Sequence, residues 1–105
     1  MEEIIMNLIV HSGEVRSYSM EAIQCAKKGD LNKARELMER ADEEMSKAHN
    51  VQSSLIQKEA GGEKIEVSLL MVHAQDHLMT SMTVKSLAVE FIDMYEKFNG
   101  KLNKE

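Results

Sequence analysis

The sequence predicts an all-α fold in which three helices pack as an antiparallel, up-down-up three-helix bundle. Its 105 residues contain no proline and nine methionines, and aromatic residues make up only 4% of the chain. Good helix formers therefore dominate, while the strongest helix breaker is missing. Glycine-containing breaks near residues 29 and 61 divide the chain into three long stretches with helical periodicity. Short connections between long helices make consecutive helices run antiparallel.

The first predicted helix spans residues 3–28. Its candidate core residues recur at spacings of four and three, as on one face of a helix: Ile4, Leu8, His11, Val15, Tyr18, Ala22 and Cys25. Gly13 interrupts this helix at a cost of about 1 kcal/mol relative to alanine. It either allows another backbone to approach closely or is neutral. His11 has only Glu14 as an acidic neighbour at helical spacing, and we interpret it as a structural residue.

The break between the first two helices has the residues of a helix end followed by a helix start. Lys27 and Lys28 suit the negative C-terminal end of a helix. Gly29 suits the left-handed position just beyond that end. Asp30 is a typical N-cap for the next helix, which is predicted for residues 31–60 and ends at Gly61 and Gly62. The expected core seam of that helix is Leu31, Ala34, Met38, Ala41, Met45, Ala48, Gln52 and Leu55.

The third helix is predicted for residues 66–99, with Gly100 as its stop and Lys101 to Glu105 fraying. Its buried stripe is expected to continue through Val84, Leu87, Phe91, Met94 and Phe98. From Leu69 to Met82 this helix is apolar on more than one face, which exceeds what a three-helix bundle needs to bury. The surplus indicates either a second interface in a homo-oligomer or a wide internal stripe.

Composition excludes several classes of protein. A chain of this length is one domain, here residues 1–105, and 43% apolar with 30% charged residues is typical of a globular protein. The net charge of −5 disfavours nucleic acid or an anionic membrane as partner. No apolar run approaches a membrane span, and the acidic start Met1–Glu3 is unlike a signal peptide. The single Cys25 cannot form an internal disulfide, which fits a reducing cytoplasm.

The stretch from Val72 to Met79 contains the residues that could carry chemistry. His73, Asp76 and His77 are three and four residues apart and share one side of a helix. Ionisable groups in such an apolar segment are costly unless they are paired, ligated or neutral, so a pair of satisfied core histidines is one interpretation. A zinc hydrolase is disfavoured, because Ala74 stands where the general-base glutamate of the usual zinc motif would be.

Phosphoryl transfer through histidine is the second chemical interpretation. Neutral imidazole is a good nucleophile near pH 7, and its phosphorylated form is reactive enough to pass the group on. A relay protein needs no substrate cavity and no glycine-rich phosphate loop. It needs one accessible imidazole in an apolar docking patch, from which a partner excludes water. A small helical protein without a nucleotide motif suits that role better than that of a self-contained enzyme.

The segment His73-Ala74-Gln75-Asp76-His77-Leu78-Met79-Thr80 resembles the active-site segment of the enzyme IIA component of the lactose/cellobiose family of the sugar phosphotransferase system, which includes diacetylchitobiose proteins. Weaker similarities lie at Gly29-Asp30, at Ala48-His49 with Gln52, and at 55–60. The resemblance implies a cytoplasmic homotrimer of three-helix protomers. It implies that His73 accepts phosphate on Nε2 from phospho-HPr and passes it to a cysteine of the IIB component. The IIC component then imports and phosphorylates a β-disaccharide of the cellobiose, lactose or chitobiose type.

The resemblance also assigns roles to the residues around His73. It implies that Asp76 points to the trimer axis and can hold a divalent cation. Three carboxylates meeting there would repel one another, and all-oxygen ligation favours Mg²⁺, Ca²⁺ or Mn²⁺, with Mg²⁺ our expectation for a structural ion. His77 either lines the site or bonds to a neighbouring subunit. Gln75 either orients the phosphate or is an exposed amide. The alternative from another class is a non-catalytic helical interaction protein, favoured by the heptad-like seams and charged faces.

Overall fold

The computed structural model describes residues 1–103, and it describes side chains as far as residue 100. Three helices account for almost all of this part of the chain: α1 (Glu2–Lys27), α2 (Leu31–Ala60) and α3 (Leu69–Asn103). The described residues contain no strand, so the predicted all-α class is confirmed. They form a rod of 62 × 19 × 18 Å. None of the three helices, over the described residues, is both long and apolar enough to cross a membrane.

The two turns follow the predicted local chemistry. Gly29 has a φ of 87° and donates its N–H to the carbonyl of Ala26 at 3.0 Å, which closes the end of α1. The Asp30 side chain accepts the N–H of Lys33 at 3.2 Å and so caps α2 as predicted. At the end of α2, Gly62 has a φ of 96°, a conformation that strongly favours glycine. Both predicted glycine breaks are therefore real chain reversals.

The predicted bounds of α3 are wrong at both ends. The helix begins at Leu69 rather than at 66, because Ser68 is its N-cap: the Ser68 hydroxyl accepts the N–H of Met71 at 3.1 Å. At the other end α3 runs through Gly100 to Asn103. Gly100 does not have the positive φ that ends a helix, and glycine within a helix merely costs about 1 kcal/mol. Of the stretch expected to fray, residues 101–103 are helical, and residues 104 and 105 lie outside the described part.

The helices meet in two apolar clusters near opposite ends of the rod. One cluster joins the first turns of α1 and α3 to the last turns of α2, which confirms the up-down-up arrangement; its buried members are Ile5, Leu8, Ala48, Leu55, Met71, Ala74 and Leu78. The other lies towards the opposite end and consists of Ala22, Ala26, Ala34, Leu37, Met38, Ala41, Ala88 and Ile92. Helix α1 packs along both other helices, whereas α2 and α3 contact each other much less.

The core stripe of α1 lies beside the predicted one. Its fully buried residues are Ile5, Leu8, Ser12, Val15, Ser19, Ala22 and Ala26, while the predicted Ile4, His11, Tyr18 and Cys25 are only half-buried flanks. The prediction missed this because two serines occupy core positions. The α2 seam is largely as predicted, with Leu37 as an additional buried residue and with Leu31, Met45 and Gln52 half-buried.

The predicted continuation of the α3 stripe is wrong. Leu87, Phe91, Met94 and Phe98 are 52%, 40%, 56% and 59% exposed, and Val84 is half-buried. The face of α3 that packs inward instead carries Met71, Ala74, Leu78, Ser81, Ala88 and Ile92. Small residues let α1 approach this part of α3 closely, so the larger apolar side chains are left on the outer side. The helix thus has two apolar faces, of which only one is covered within the chain.

Hydrogen bonds and ion pairs also link the helices to one another outside the two apolar clusters. His11 Nδ1 lies 2.6 Å from the carboxylate of Glu44, which links α1 to α2. This partner could not be predicted from spacing, since the two residues are far apart in the chain. Helices α2 and α3 are linked by ion pairs from Lys85 to Asp42 at 2.6 Å and from Arg35 to Glu96.

Three serines are fully buried in the core, but their hydroxyl groups differ. Ser19 donates its hydroxyl to the carbonyl of Val15 at 2.7 Å. The hydroxyls of Ser12 and Ser81 have no hydrogen-bond partner among the described residues. A hydroxyl that is buried loses its hydrogen bonds to water, which costs free energy if no protein group replaces them. The Ser12 and Ser81 hydroxyls therefore destabilise the folded chain.

We expect Ser81→Ala to raise the free energy of unfolding by about 1 kcal/mol, because it removes an unpartnered buried hydroxyl and leaves the packing almost unchanged. Ser19→Ala is the matched control, because it makes the same chemical change but removes a formed hydrogen bond. Urea denaturation of both variants measures the difference and cancels the common gain in helix propensity. If the two substitutions have equal effects, the Ser81 hydroxyl is satisfied in solution.

Candidate functional site

Packing at the start of α3 determines which way its histidine segment faces. Met71, Ala74 and Leu78 are buried against α1 and α2. These three residues form a row along one side of the helix, since positions three and four apart lie on the same face. The side chains of His73 and Asp76 therefore point away from the core, and both residues are exposed. The interpretation of His73 as a satisfied core histidine is wrong.

His73 and His77 form a stacked pair. Their ring centroids are 5.8 Å apart and their planes differ by 15°. His73 is exposed, whereas His77 is half-buried at the edge between α3 and α1. A Cβ atom placed on Gly13 of α1 would lie 3.4 Å from Nε2 of His77. Gly13 thus borders an imidazole of the site rather than another backbone.

The surroundings of His77 favour the neutral form of its ring. Burial is the largest cause that lowers its pKa below the ordinary histidine value, and the charges of His73 and Arg16 lower the pKa further. A neutral ring beside His73 adds no positive charge to the segment near pH 7. His77 is therefore suited to supporting a neighbouring imidazole that must itself be neutral to act as a nucleophile.

Gln75 lies on the side of α3 that faces α2. Its side-chain oxygen accepts the amide N–H of Gln52 at 2.7 Å, and its own amide nitrogen lies 3.8 Å from the sulfur of Met71. Being two positions from His73, it points to a different side of the helix. Within one chain, the structure does not bring Gln75 to the His73 ring. Gln52 is its unexpected partner, which sequence spacing alone could not reveal.

Asp76 is exposed on the outer face of α3, and Thr80 stands one turn beyond it, donating its hydroxyl to the Asp76 carbonyl at 2.9 Å. No group of three or more histidine, cysteine, aspartate or glutamate residues within the described part of the chain is arranged to hold a metal ion. One chain offers one carboxylate here. A cation at Asp76 would therefore need ligands from further copies of the chain.

Comparison with known proteins identifies this arrangement. The family model described as "PTS system, Lactose/Cellobiose specific IIA subunit" matches residues 3–96. The lichenan-specific phosphotransferase enzyme IIA component of Bacillus subtilis (strain 168) is 60% identical over 97 residues, which cover 92% of this chain and 88% of the relative.

Solved structures agree with this match. The PTS cellobiose-specific enzyme IIA from Bacillus anthracis superposes with a TM-score of 0.93 at 53% identity, covering 95% of this chain and 92% of that one. The IIA(Chitobiose)–HPr complex of the N,N'-diacetylchitobiose branch of the Escherichia coli phosphotransferase system gives a TM-score of 0.81 at 44% identity, covering 93% of this chain and 95% of that one.

The bundle with its exposed histidine segment is thus a phosphotransferase component of the IIA class. Within that class, the chain belongs to the family of lactose/cellobiose-specific IIA subunits of the sugar phosphotransferase system. The resemblance of the segment from His73 to Thr80 had indicated this family.

We expect the pKa of His77, followed by NMR through its ring protons, to lie below the ordinary histidine value of about 6.5. His73→Gln should raise this pKa, since it removes one of the two neighbouring positive charges, but burial should keep it lowered. Because the unfolded chain binds the proton more readily, His77 makes the fold less stable as pH falls through 6.5 towards the lowered pKa. A His77 pKa at or above 6.5 would contradict this description.

Proposed function

We propose that this protein is a cytoplasmic phosphocarrier that accepts a phosphoryl group from phospho-HPr on His73 and passes it to a cysteine of a IIB component. The exposed position of His73 on α3, beside exposed apolar side chains, is the observation that carries the proposal. The E. coli relative seen in complex with HPr supports HPr as the donor. Sugar uptake and phosphorylation by the IIC component complete the sequence.

The proposed transfer needs only a neutral imidazole and an in-line approach. The lone pair of His73 Nε2 attacks the phosphorus of phospho-HPr as the phosphorus–nitrogen bond to HPr breaks, and that electron pair returns to the HPr imidazole. In the next step a IIB thiolate attacks the same phosphorus, and the bond to His73 breaks in turn. Positioning and exclusion of water are the main tasks of the protein in such a transfer.

Apolar residues around His73 support the docking of partners. Leu69, Leu70 and Val72 precede it and are 86%, 36% and 43% exposed, and Met79 follows at 52%. A neighbouring subunit or a docked partner that covers these side chains removes water from the phosphoryl group, which suppresses its loss by hydrolysis. His77 supports His73 in this proposal by stacking on it as a neutral ring. Gln75 would orient the phosphoryl group only after leaving Gln52 or from a neighbouring subunit.

The outer face of α3 supports assembly as a homotrimer. Nine residues at spacings of three and four share the side opposite the core, and every one is exposed: Leu69, Val72, Asp76, Met79, Thr83, Leu87, Glu90, Met94 and Lys97. We call this row the outer stripe. Such heptad-like spacing is the pattern by which helices pack in coiled coils. Three copies of α3 around one axis would cover apolar surface that a single chain leaves in water.

Asp76 lies within the outer stripe, which supports its proposed place at the trimer axis. Three carboxylates brought together would repel one another and lose hydration. A divalent cation, Mg²⁺ being our proposal, would be held by these oxygens and would offset the repulsion in a structural role. The residues fit such an ion only as an assembly, since each chain contributes one carboxylate.

The sugar is proposed as a β-disaccharide of the cellobiose, lactose or chitobiose type. The family description names lactose and cellobiose, and the relatives in B. subtilis, B. anthracis and E. coli are specific for lichenan, cellobiose and N,N'-diacetylchitobiose. Sugar specificity resides in the component that binds the sugar. Binding to candidate IIB proteins, measured by NMR, would therefore assign the transport system.

We expect the chain to acquire acid-labile phosphate when it is incubated with phosphoenolpyruvate, enzyme I and HPr, and His73→Ala to abolish this labelling. His49→Ala is the matched control, because His49 is an exposed histidine on α2 and should be labelled like the parent protein. Labelling of His73→Ala at the parental rate would show that another residue is the acceptor. No labelling of the parent would favour the non-catalytic interaction protein.

We expect sedimentation to give a trimer, and Leu87→Lys to shift it to monomer, because it places three charges at an apolar position of the outer stripe. Met20→Lys on α1 is the control, since Met20 is also exposed, at 46%, but is not on that stripe.

Asp76→Leu should keep the trimer and raise its melting temperature, because it removes the repulsion between the three carboxylates. A chelator should then have no further effect on this variant. A parent protein that is monomeric at micromolar concentration would overturn the assembly, and loss of the trimer in Asp76→Leu would place Asp76 elsewhere or make its cation essential.

A further inference from the structure

The side of α1 that borders the histidine pair carries an arginine. Ile9, Gly13 and Arg16 recur at spacings of four and three and form one row along α1. Gly13 faces His77, since a Cβ there would lie 3.4 Å from its Nε2. Arg16 is one turn further along the same side. Helical side chains lean towards the N-terminus of their helix, so the Arg16 side chain is directed back towards the level of Gly13 and His77.

Arg16 is not held by an acidic residue. The residues three and four positions away on α1 are Ser12, Gly13, Ser19 and Met20, none of which is acidic. No carboxylate of the described residues forms an ion pair with it, although the chain has a net charge of −5. It lies instead on the side of α1 that borders His77. In the unphosphorylated protein, no anionic group of the described residues balances the charge of Arg16.

A negatively charged group bound to His73 would provide a partner for the charge of Arg16. A phosphoryl group bound to imidazole carries negative charge on three oxygens, and the planar guanidinium of arginine matches such oxygens with paired N–H donors. The His73 ring stacks on the His77 ring, with 5.8 Å between their centroids. Arg16 is exposed and has a long flexible side chain on the row of α1 that borders His77.

We propose that Arg16 is a phosphoryl-binding residue of this site, donating N–H bonds to the oxygens of the phosphoryl group carried by His73. The inference rests on the proposed phosphocarrier function. In this role the guanidinium stabilises the charge that gathers on the oxygens during transfer and holds the group in place between the two partners. It forms and breaks no covalent bond itself.

The test uses three variants of the full chain. Arg16→Gln removes both the positive charge and the paired N–H donors of the guanidinium, whereas Arg16→Lys keeps the charge alone. Arg40→Gln is the control, since Arg40 is an exposed arginine on α2. We expect the single-turnover rate of labelling by phospho-HPr to fall roughly tenfold to hundredfold in Arg16→Gln, to be intermediate in Arg16→Lys, and to be unchanged in Arg40→Gln. Circular dichroism checks that each variant is folded, and Arg16→Lys alone decides the matter if Arg16→Gln does not fold.

A second measurement separates binding of the phosphoryl group from a structural role. Phosphorus NMR of the phosphorylated chain reports the pKa of the phosphoryl oxygens, which a nearby cation lowers, so Arg16→Gln should raise it and Arg40→Gln should not. Parental rates together with an unchanged phosphoryl titration in Arg16→Gln would overturn the role of Arg16 and leave the phosphocarrier intact. A parent protein that is not phosphorylated at His73 would overturn both.

Discussion

The row of Met71, Ala74 and Leu78 is the contact on which the functional arrangement depends. These residues are at most 7% exposed, and they lock the rotation of α3 against α1 and α2. When packing fixes one face of a helix, the direction of the opposite face is fixed too, because each residue is rotated by about 100° about the helix axis from the one before. The exposure of His73 and the alignment of the outer stripe are thus consequences of packing three apolar side chains.

The close approach of α1 and α3 depends on small residues, and this has a cost in stability. Serine and glycine at positions 12, 13 and 81 fill the region between the two apolar clusters. They leave two buried hydroxyls without partners, yet they give the His77 ring a place beside Gly13. A core of larger apolar residues would be more stable, but it would push α1 away from the histidine pair. Local destabilisation near a functional site is a common compromise in proteins.

The site has little of the apparatus of a self-contained enzyme. In a group transfer between proteins, each partner brings half of the reacting geometry, so one chain needs an exposed nucleophile and an apolar rim rather than a closed pocket. The neutral ring of His77 and the unpaired charge of Arg16 complete a site whose electrostatic balance, in our proposal, is reached only when a phosphoryl group is present. The same helix carries the outer stripe, so the proposed assembly and the proposed chemistry both depend on α3.

The sequence by itself determined the elements that depend on local interactions. Glycines at 29 and 62 and the cap at Asp30 determined three helix ends, because dihedral preference and capping involve only neighbouring residues. The segment from His73 to Thr80 identified the family for a similar reason, since its pattern lies within three turns of one helix. The same local reasoning failed at Gly100, where no turn geometry accompanied the glycine.

Only the tertiary structure decided which apolar stripe is core. Leu87, Phe91, Met94 and Phe98 have the right spacing to be buried but lie outside, whereas Ser12, Ser19 and Ser81 lie inside. Periodicity reports that a helix has apolar faces, but it does not report which of them meets a neighbour, because that depends on how closely the backbones approach. For the same reason the contacts of His11 with Glu44, Gln52 with Gln75 and Gly13 with His77 join residues far apart in the chain and could not be predicted.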